Sequence, residues 1–176
     1  MAQSLPEIRG SVAGSCPFFS NRADWEATGT SKQKVMIVGS SLYERLGGKD
    51  AIAAVVDDFT ARCADDERIN KKFARTDIPR LKKMLVDQVC EATGGPCTYT
   101  GRDMKETHRS MGVTAGEFDA LVEDLVASLS HFDVPKAEQE ELLGLLGPMR
   151  GDIVEVESPE TGTPLPDSYE AAPALG

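Results

Sequence analysis

The chain has 176 residues, a length that fits one domain with terminal extensions. It is acidic, with 29 Asp and Glu against 19 Lys and Arg and a formal charge of −10, which argues against a nucleic-acid-binding surface. The longest apolar runs are only a few residues, and the N-terminus has no basic start followed by an apolar block. We therefore expect no membrane-spanning segment, no membrane partner and no secretory signal, and we place the chain in the cytoplasm.

Two polar segments flank the centre of the chain. Residues 1–40 contain Ser, Gly and Pro with isolated apolar residues such as Phe18, Phe19 and Trp25, so they are predicted to form a loosely ordered extension. Residues 157–176 are rich in Pro, Gly and Glu and are predicted to be a disordered C-terminal tail. The folded domain is expected to span residues 41–156.

Nearly every segment of that domain has helical period, and none alternates like a half-exposed strand, so the predicted fold class is all-α. A short turn at 41–46 ends at Gly47, and a long amphipathic helix starts near Asp50. A short helical element follows over 65–73. Pro79 suits the first turn of the next helix.

The later helices carry terminal signals as well. Thr114 and Glu117 have the spacing of a capping box and predict a helix start. Pro135 opens the last helix, and Pro148 predicts a bend within it. His131, near the end of the preceding helix, is interpreted as a surface or capping histidine.

The four cysteines show no C-x-x-C spacing: Cys16, Cys63, Cys90 and Cys97. Reduced thiols are the expectation for a cytoplasmic protein. A disulfide between Cys90 and Cys97, which flank a Gly-Gly-Pro turn, is the alternative.

A short polar helix between Gly101 and Gly112 carries one of the two histidines. Met104, His108 and Met111 lie at i, i+4 and i+7 and therefore share one face. A thin apolar stripe on so polar a helix indicates that it packs against something, with His108 at the centre of the contact. The segment alone leaves open a buried imidazole with satisfied hydrogen bonds or a single ligand to haem iron.

Taken in order, these features resemble those of the truncated (2-on-2) haemoglobins, a branch of the globin superfamily, and specifically those of group I. The matching residues keep their relative spacings and include Leu42-Tyr43, Gly47-Gly48, Phe59, Phe73, Leu81, Gly94-Gly95-Pro96, Tyr99-Thr100-Gly101, Met104 and His108. The match extends from about Leu42 to Val154. It implies a 2-on-2 helical sandwich around haem b, with His108 as the iron ligand.

The resemblance also implies which residues contact the haem: Phe73, Thr76, Arg80, Leu81, Met84, Leu85, Tyr99, Met104 and His108. Phe73 would pack against the porphyrin, and Thr76, Arg80 and Tyr99 match positions that hold propionates. The guanidinium fork of an arginine suits a carboxylate. The ring N–H of His108 would donate to a backbone carbonyl near Met104 and fix the tautomer.

The sequence departs from the family on the side where a gas would bind. The implied distal pocket consists of Phe59, Thr60, Leu81, Leu85 and Gln88. Relatives commonly place a tyrosine at the Thr60 position and a glutamine at the Leu85 position. Thr60 is expected to bond its own backbone, and Gln88 is either a substitute donor or a packing amide. Losing one donor to O₂ predicts release faster by about ten- to a hundredfold.

The leading functional hypothesis is therefore reversible binding of O₂, NO and CO at ferrous haem b, with oxygen carriage or delivery as its role. NO oxidation to nitrate, with a reductase as partner, is the one enzymatic activity that the resemblance carries. The alternative is a redox, electron-transfer or gas-sensing haem protein with six-coordinate iron, in which Met84 or another side chain supplies the sixth ligand. A third hypothesis is a haem-free helical scaffold that binds another protein.

Overall fold

The computed structural model describes residues 39–170, so most of the predicted N-terminal extension and the last six residues lie outside the described residues. Within that range the chain forms seven α-helices and two short 3-10 helices, and no strand longer than an isolated bridge. The α-helices are α1 (Leu42–Arg45), α2 (Gly48–Asp65), α3 (Ile78–Ala92), α4 (Met104–His108), α5 (Ala115–His131), α6 (Lys136–Leu146) and α7 (Arg150–Ile153). The 3-10 helices are Asn70–Phe73 and Gly147–Met149. None of these described helices is both long and apolar enough to cross a membrane.

Side-chain caps begin four of the helices: Ser41 for α1, Asp77 for α3, Asp103 for α4 and Thr114 for α5. Each accepts a hydrogen bond from a free backbone N–H of the first turn. The capping box predicted for Thr114 and Glu117 is confirmed, since each side chain bonds the other residue's backbone N–H. These caps set where the short helices start, including α4.

Helix α2 packs against both α3 and α5 and so fixes their positions. Ile52 and Val56 of α2 pack with Val86 of α3 in one buried cluster. Further along α2, Phe59 packs with Ala120 of α5 in a second cluster. With α3 held through its Val86 face, its remaining apolar face is left for other contacts.

The last helix is not continuous, and here the prediction of a single bent helix was wrong. Helix α6 ends at Leu146, a 3-10 turn spans Gly147–Met149, and α7 begins at Arg150. Pro148 lies within that turn and has no N–H to donate to the preceding helical turn. The proline therefore divides the predicted helix into two.

The predicted disordered tail was also wrong for residues 157–170, which we call the C-terminal arm. The arm folds back on the domain: the N–H of Gly116 donates to the carbonyl of Ser158 at 3.0 Å, and the N–H of Thr163 donates to Glu117 at 2.8 Å. Arg75 donates to the carbonyl of Tyr169 at 2.8 Å. Hydrogen bonds to helices and to the loops between them therefore order the arm.

Cys90 and Cys97 form a disulfide with Cα atoms 5.7 Å apart, so the expectation of reduced thiols was wrong for this pair. The Gly94-Gly95 turn brings them together, and Gly94 has a φ of 84° that favours glycine. Cys63 is a free, buried thiol. The position of Cys16 lies outside the described residues.

Candidate functional site

His108 is the last residue of α4, and its ring is oriented by its own helix. Its Nδ1 lies 2.8 Å from the carbonyl oxygen of Met104, so Nδ1–H donates and Nε2 is the nitrogen that carries the lone pair. The hydrogen bond to Met104 is the one that the sequence predicted. Burial lowers the pKa of His108, although the Met104 bond and the charge of Glu155 oppose that effect. The net result favours the neutral imidazole, the form that binds metals.

Helix α3 has two apolar faces with different surroundings. Val86 and Cys90 are buried and pack with Ile52 and Val56 of α2. The other face is only half-buried, and it consists of Leu81, Met84, Leu85 and Gln88. An apolar helix face without full cover is typical of one wall of a ligand-binding cleft.

The three residues expected to hold carboxylates have different surroundings. The guanidinium of Arg80 has no hydrogen-bond acceptor among residues 39–170. The backbone N–H of Arg80 donates to the Asp77 side chain, which caps α3. The hydroxyl of Tyr99, in contrast, donates its one hydrogen to the carbonyl of Arg102 at 2.8 Å. Thr76 is half-buried, and its N–H donates to the carbonyl of Phe73. Of these residues, Arg80 offers a charged donor group that no described acceptor occupies, and such a group suits a carboxylate.

The Tyr99-Thr100-Gly101 motif has a local reason. A Cβ atom on Gly101 would lie 2.2 Å from atoms of the Tyr99 ring, so only glycine lets the ring close over the backbone. The ring in that position reaches Arg102 with its hydroxyl. The motif thus fixes the chain just before the α4 cap.

Thr60 bonds its own helix, as expected. Its hydroxyl lies 2.8 Å from the carbonyl of Val56 and 3.1 Å from that of Asp57. A hydroxyl has only one hydrogen to donate, and these two carbonyls share it. Both Phe59 and Thr60 are buried.

Gln88 is present as a packing amide. Its Nε2 lies 3.6 Å from the sulfur of Met104 and 3.7 Å from the sulfur of Met149. Gln88 therefore links α3 to α4 and to the Gly147–Met149 turn. The contact with Met149 was not predicted, because nothing local in the sequence pairs these two residues.

The remaining predicted residues lie where ordinary packing would also place them. Phe73 packs against the cluster that contains Phe59. Met84 is half-buried on α3. His131 ends α5, is exposed, and lies 3.0 Å from a carboxylate oxygen of Asp58. The hydrogen bond from Arg62 is the main cause that lowers the pKa of Asp58 to about 2.

Sequence reasoning missed Glu155, which contacts the turn directly after His108. Its two carboxylate oxygens accept from the backbone N–H groups of Ser110 at 2.7 Å and of Gly112 at 2.6 Å. No sequence pattern signals a carboxylate that binds backbone groups so far along the chain.

The groups that the described residues bring to this site can be compared with what a haem requires. The site offers one neutral imidazole with a free Nε2, a half-buried apolar wall on α3, and an arginine without a described acceptor. Such a set suits a flat apolar group that carries a metal and carboxylates. The residues present fit haem.

The chain belongs to the bacterial-like globin family, whose sequence model matches residues 41–155. It is 34% identical over 119 residues to the group 1 truncated haemoglobin GlbN of Mycolicibacterium paratuberculosis, which covers 68% of this chain and 88% of that protein. It is 38% identical over 101 residues to the group 1 truncated haemoglobin GlbN of Synechocystis, covering 55% of this chain and 82% of that protein.

The fold agrees with solved structures. The truncated haemoglobin of Tetrahymena pyriformis in its Fe(III) form superposes with a TM-score of 0.63 at 33% identity, covering 65% of this chain and 98% of that one. The group II truncated haemoglobin of Bacillus anthracis has the same TM-score at 18% identity and shows the shared fold alone. The predicted all-α, 2-on-2 globin fold is confirmed, and family membership implies that the chain binds haem.

Proposed function

We propose that this chain holds haem b through His108 and binds O₂, NO and CO reversibly in the ferrous state. The observation that carries the proposal is the hydrogen bond from Nδ1 of His108 to Met104, which leaves Nε2 available to a metal. When bound, ferrous haem supplies an open coordination position for a diatomic gas. Met104 fixes the tautomer and orientation of the ring, and Arg80 is available to a propionate.

The distal residues support weak rather than tight retention of O₂. The Thr60 hydroxyl is committed to backbone carbonyls, and Leu81 and Leu85 carry no donor. A donor to O₂ forms a partly charge-assisted hydrogen bond, whereas NO and CO need less polar help. We therefore propose a carrier or NO-oxidising role in the cytoplasm, served by a reductase, rather than long-term O₂ storage.

Gln88 is the one described residue of the distal set with an uncommitted strong donor. Its present acceptors are thioether sulfurs, which accept hydrogen bonds only weakly. Turning the amide away from them would therefore cost little. Gln88→Leu distinguishes the two roles, because it speeds O₂ release only if the amide reaches the gas.

The competing hypothesis of a sixth ligand from Met84 stays a prediction, since no described contact of Met84 favours it. The same spectra test both hypotheses. A five-coordinate, high-spin ferrous form that takes up CO and O₂ supports the proposal, and a low-spin ferrous form without added ligand contradicts it.

The chain supplies a matched pair of variants for this test, because it has two histidines. His108→Ala should abolish the ferrous and CO-bound spectra of the wild type. His131→Ala, on the exposed end of α5, should leave both unchanged. Equal loss in both variants, or in neither, would contradict the assignment of His108.

A further inference from the structure

The segment that connects His108 to α5 is held almost entirely by groups from outside itself. Residues 109–114 contain two left-handed positions, Ser110 at φ 64° and Gly112 at φ 62°. Glycine adopts this conformation freely, whereas a serine in it is strained and persists only where its surroundings impose it. The turn after His108 therefore depends on its partners.

Glu155 supplies one of those partners. Its carboxylate receives the N–H groups of Ser110 at 2.7 Å and of Gly112 at 2.6 Å, one on each oxygen. Bonds to an ionised acceptor are shorter and stronger than neutral ones. Converging backbone N–H groups next to left-handed residues form a concave anion site, and here the anion is the chain's own carboxylate.

The backbone around Glu155 is in turn fixed to the same segment. The N–H groups of Glu155 and Val156 both donate to the carbonyl of Val113, at 2.9 and 3.1 Å. The carbonyl of Val156 accepts from Ala115 at 3.0 Å. These backbone bonds hold Glu155 beside the turn, so its side chain lies within reach of the N–H groups of Ser110 and Gly112.

The carbonyl side of the turn is held separately. The ammonium of Lys72 donates to the carbonyls of Met111 at 2.9 Å and Gly112 at 3.0 Å, and it lies 3.4 Å from Glu117. The same ammonium lies 3.4 Å from the carbonyl of Pro164 in the C-terminal arm. The C-terminal arm therefore lies over the Lys72 ammonium, which binds the two carbonyls of the turn.

We propose that Glu155 is a positioning residue for His108, which it orients by anchoring the backbone N–H groups of Ser110 and Gly112. The inference rests on the proposed function, since it concerns the imidazole that would hold iron. When the turn after His108 is fixed, the end of α4 cannot move, and Nε2 of the ring points in one direction. Loosening the turn broadens the range of ring orientations without removing the ligand.

The test measures amide hydrogen exchange of the complete chain with and without haem, in the wild type and in Glu155→Gln. Glu157→Gln is the matched control, because it makes the same charge change two residues away and its side chain bonds only Arg150 among the described residues. We expect the Ser110 and Gly112 amides to be protected in the wild type. Their exchange should speed up about tenfold or more in Glu155→Gln and remain unchanged in Glu157→Gln.

The second readout is the iron–imidazole stretching band of the haem-loaded ferrous protein, together with the rate of haem loss to an excess of a haem-scavenging apoglobin. Glu155→Gln should shift or broaden the band and speed haem loss by about three- to tenfold, whereas Glu157→Gln should match the wild type. Free-peptide exchange rates at Ser110 and Gly112 in the wild type would overturn the proposal. So would faster exchange in Glu155→Gln with an unchanged iron–imidazole band.

A second variant covers the case in which Glu155→Gln does not fold. If Glu155→Gln loses its helical circular dichroism, Glu155→Asp takes its place, since it keeps the charge but places the carboxylate one methylene farther from the two N–H groups. If the wild type takes up no haem, the proposed function fails and the positioning role fails with it. The exchange data on the haem-free chain then show separately whether Glu155 anchors the turn.

Discussion

The buried ion pair between Lys72 and Glu117 gives the sharpest stability prediction. The two side chains are only 5% and 2% exposed and lie 3.4 Å apart. Lys72→Met leaves the Glu117 carboxylate buried without its counter-charge, a loss that costs about 3–5 kcal/mol. Glu117 keeps the N–H of Thr114 at 3.0 Å and both donors of Thr163 at 2.8 and 2.7 Å. We therefore expect the lower end, about 3 kcal/mol, or a Tm lower by about 6–12 °C.

The assay is urea unfolding followed by circular dichroism, on proteins of equal haem content. Lys71→Met is the matched control, because Lys71 is exposed and, among residues 39–170, donates only to the carbonyl of Gly162. It should change the free energy of unfolding by less than about 0.5 kcal/mol. Adding Glu117→Gln removes the uncompensated charge, so the cost of Lys72→Met should fall by more than half in that background. Equal stability of Lys72→Met and Lys71→Met would refute the reasoning.

Three further predictions concern pH, gas binding and the disulfide. Asp58 has its pKa lowered from 3.8 to about 2 in the folded chain, so it stabilises the fold fully above pH 3.8 and less as the pH falls toward 2. The stability gap between the wild type and Asp58→Asn should accordingly narrow over that range in acid titrations of unfolding, and a constant gap would contradict it. Thr60→Val should leave the O₂ release rate within about twofold in flash photolysis, because the hydroxyl bonds the backbone, whereas Leu85→Gln should slow release by about ten- to a hundredfold. A large change in the first variant or none in the second would overturn that account of the pocket. Cys90→Ala/Cys97→Ala opens a short loop and should lower the free energy of unfolding by about 2 kcal/mol in urea melts. Reductant should lower the stability of the wild type but not that of the double variant. If reductant destabilises both proteins equally, the disulfide is not the cause of the loss.

The parts of the fold that could be predicted are those with local signals. The capping box at Thr114 and the apolar period of α2 lie within a few residues of each other in sequence, and both predicted their helices. The bond between His108 and Met104 follows from the geometry of one helical turn. Such features need no knowledge of the rest of the chain.

The C-terminal arm could not be predicted, because its order comes from contacts far apart in sequence. Thr163 meets Glu117 across 46 residues, and both are ordinary surface residue types. Lys72, in a polar stretch, is buried for the same reason: its partners Met111 and Gly112 become neighbours only in the fold. Composition predicted disorder for the segment that contains Thr163 and gave no prediction for Lys72.

Within the candidate site, the division is similar. The resemblance named His108, Arg80 and Gln88 as site residues. It gave no sign of Glu155, which bonds the turn after His108, or of Met149, which contacts Gln88. The commitment of the Tyr99 hydroxyl to Arg102 was likewise not apparent from the sequence. The resemblance thus named the proposed ligand, and the structure shows the hydrogen bonds around it.

Titration of haem into the haem-free chain shows whether His108 holds one haem. We expect a Soret band that saturates at about one haem per chain, a ferrous form that takes up CO, and loss of both in His108→Ala but not in His131→Ala. A wild-type chain that stays colourless with ample haem, or a His108→Ala variant that binds haem and CO as the wild type does, would contradict it.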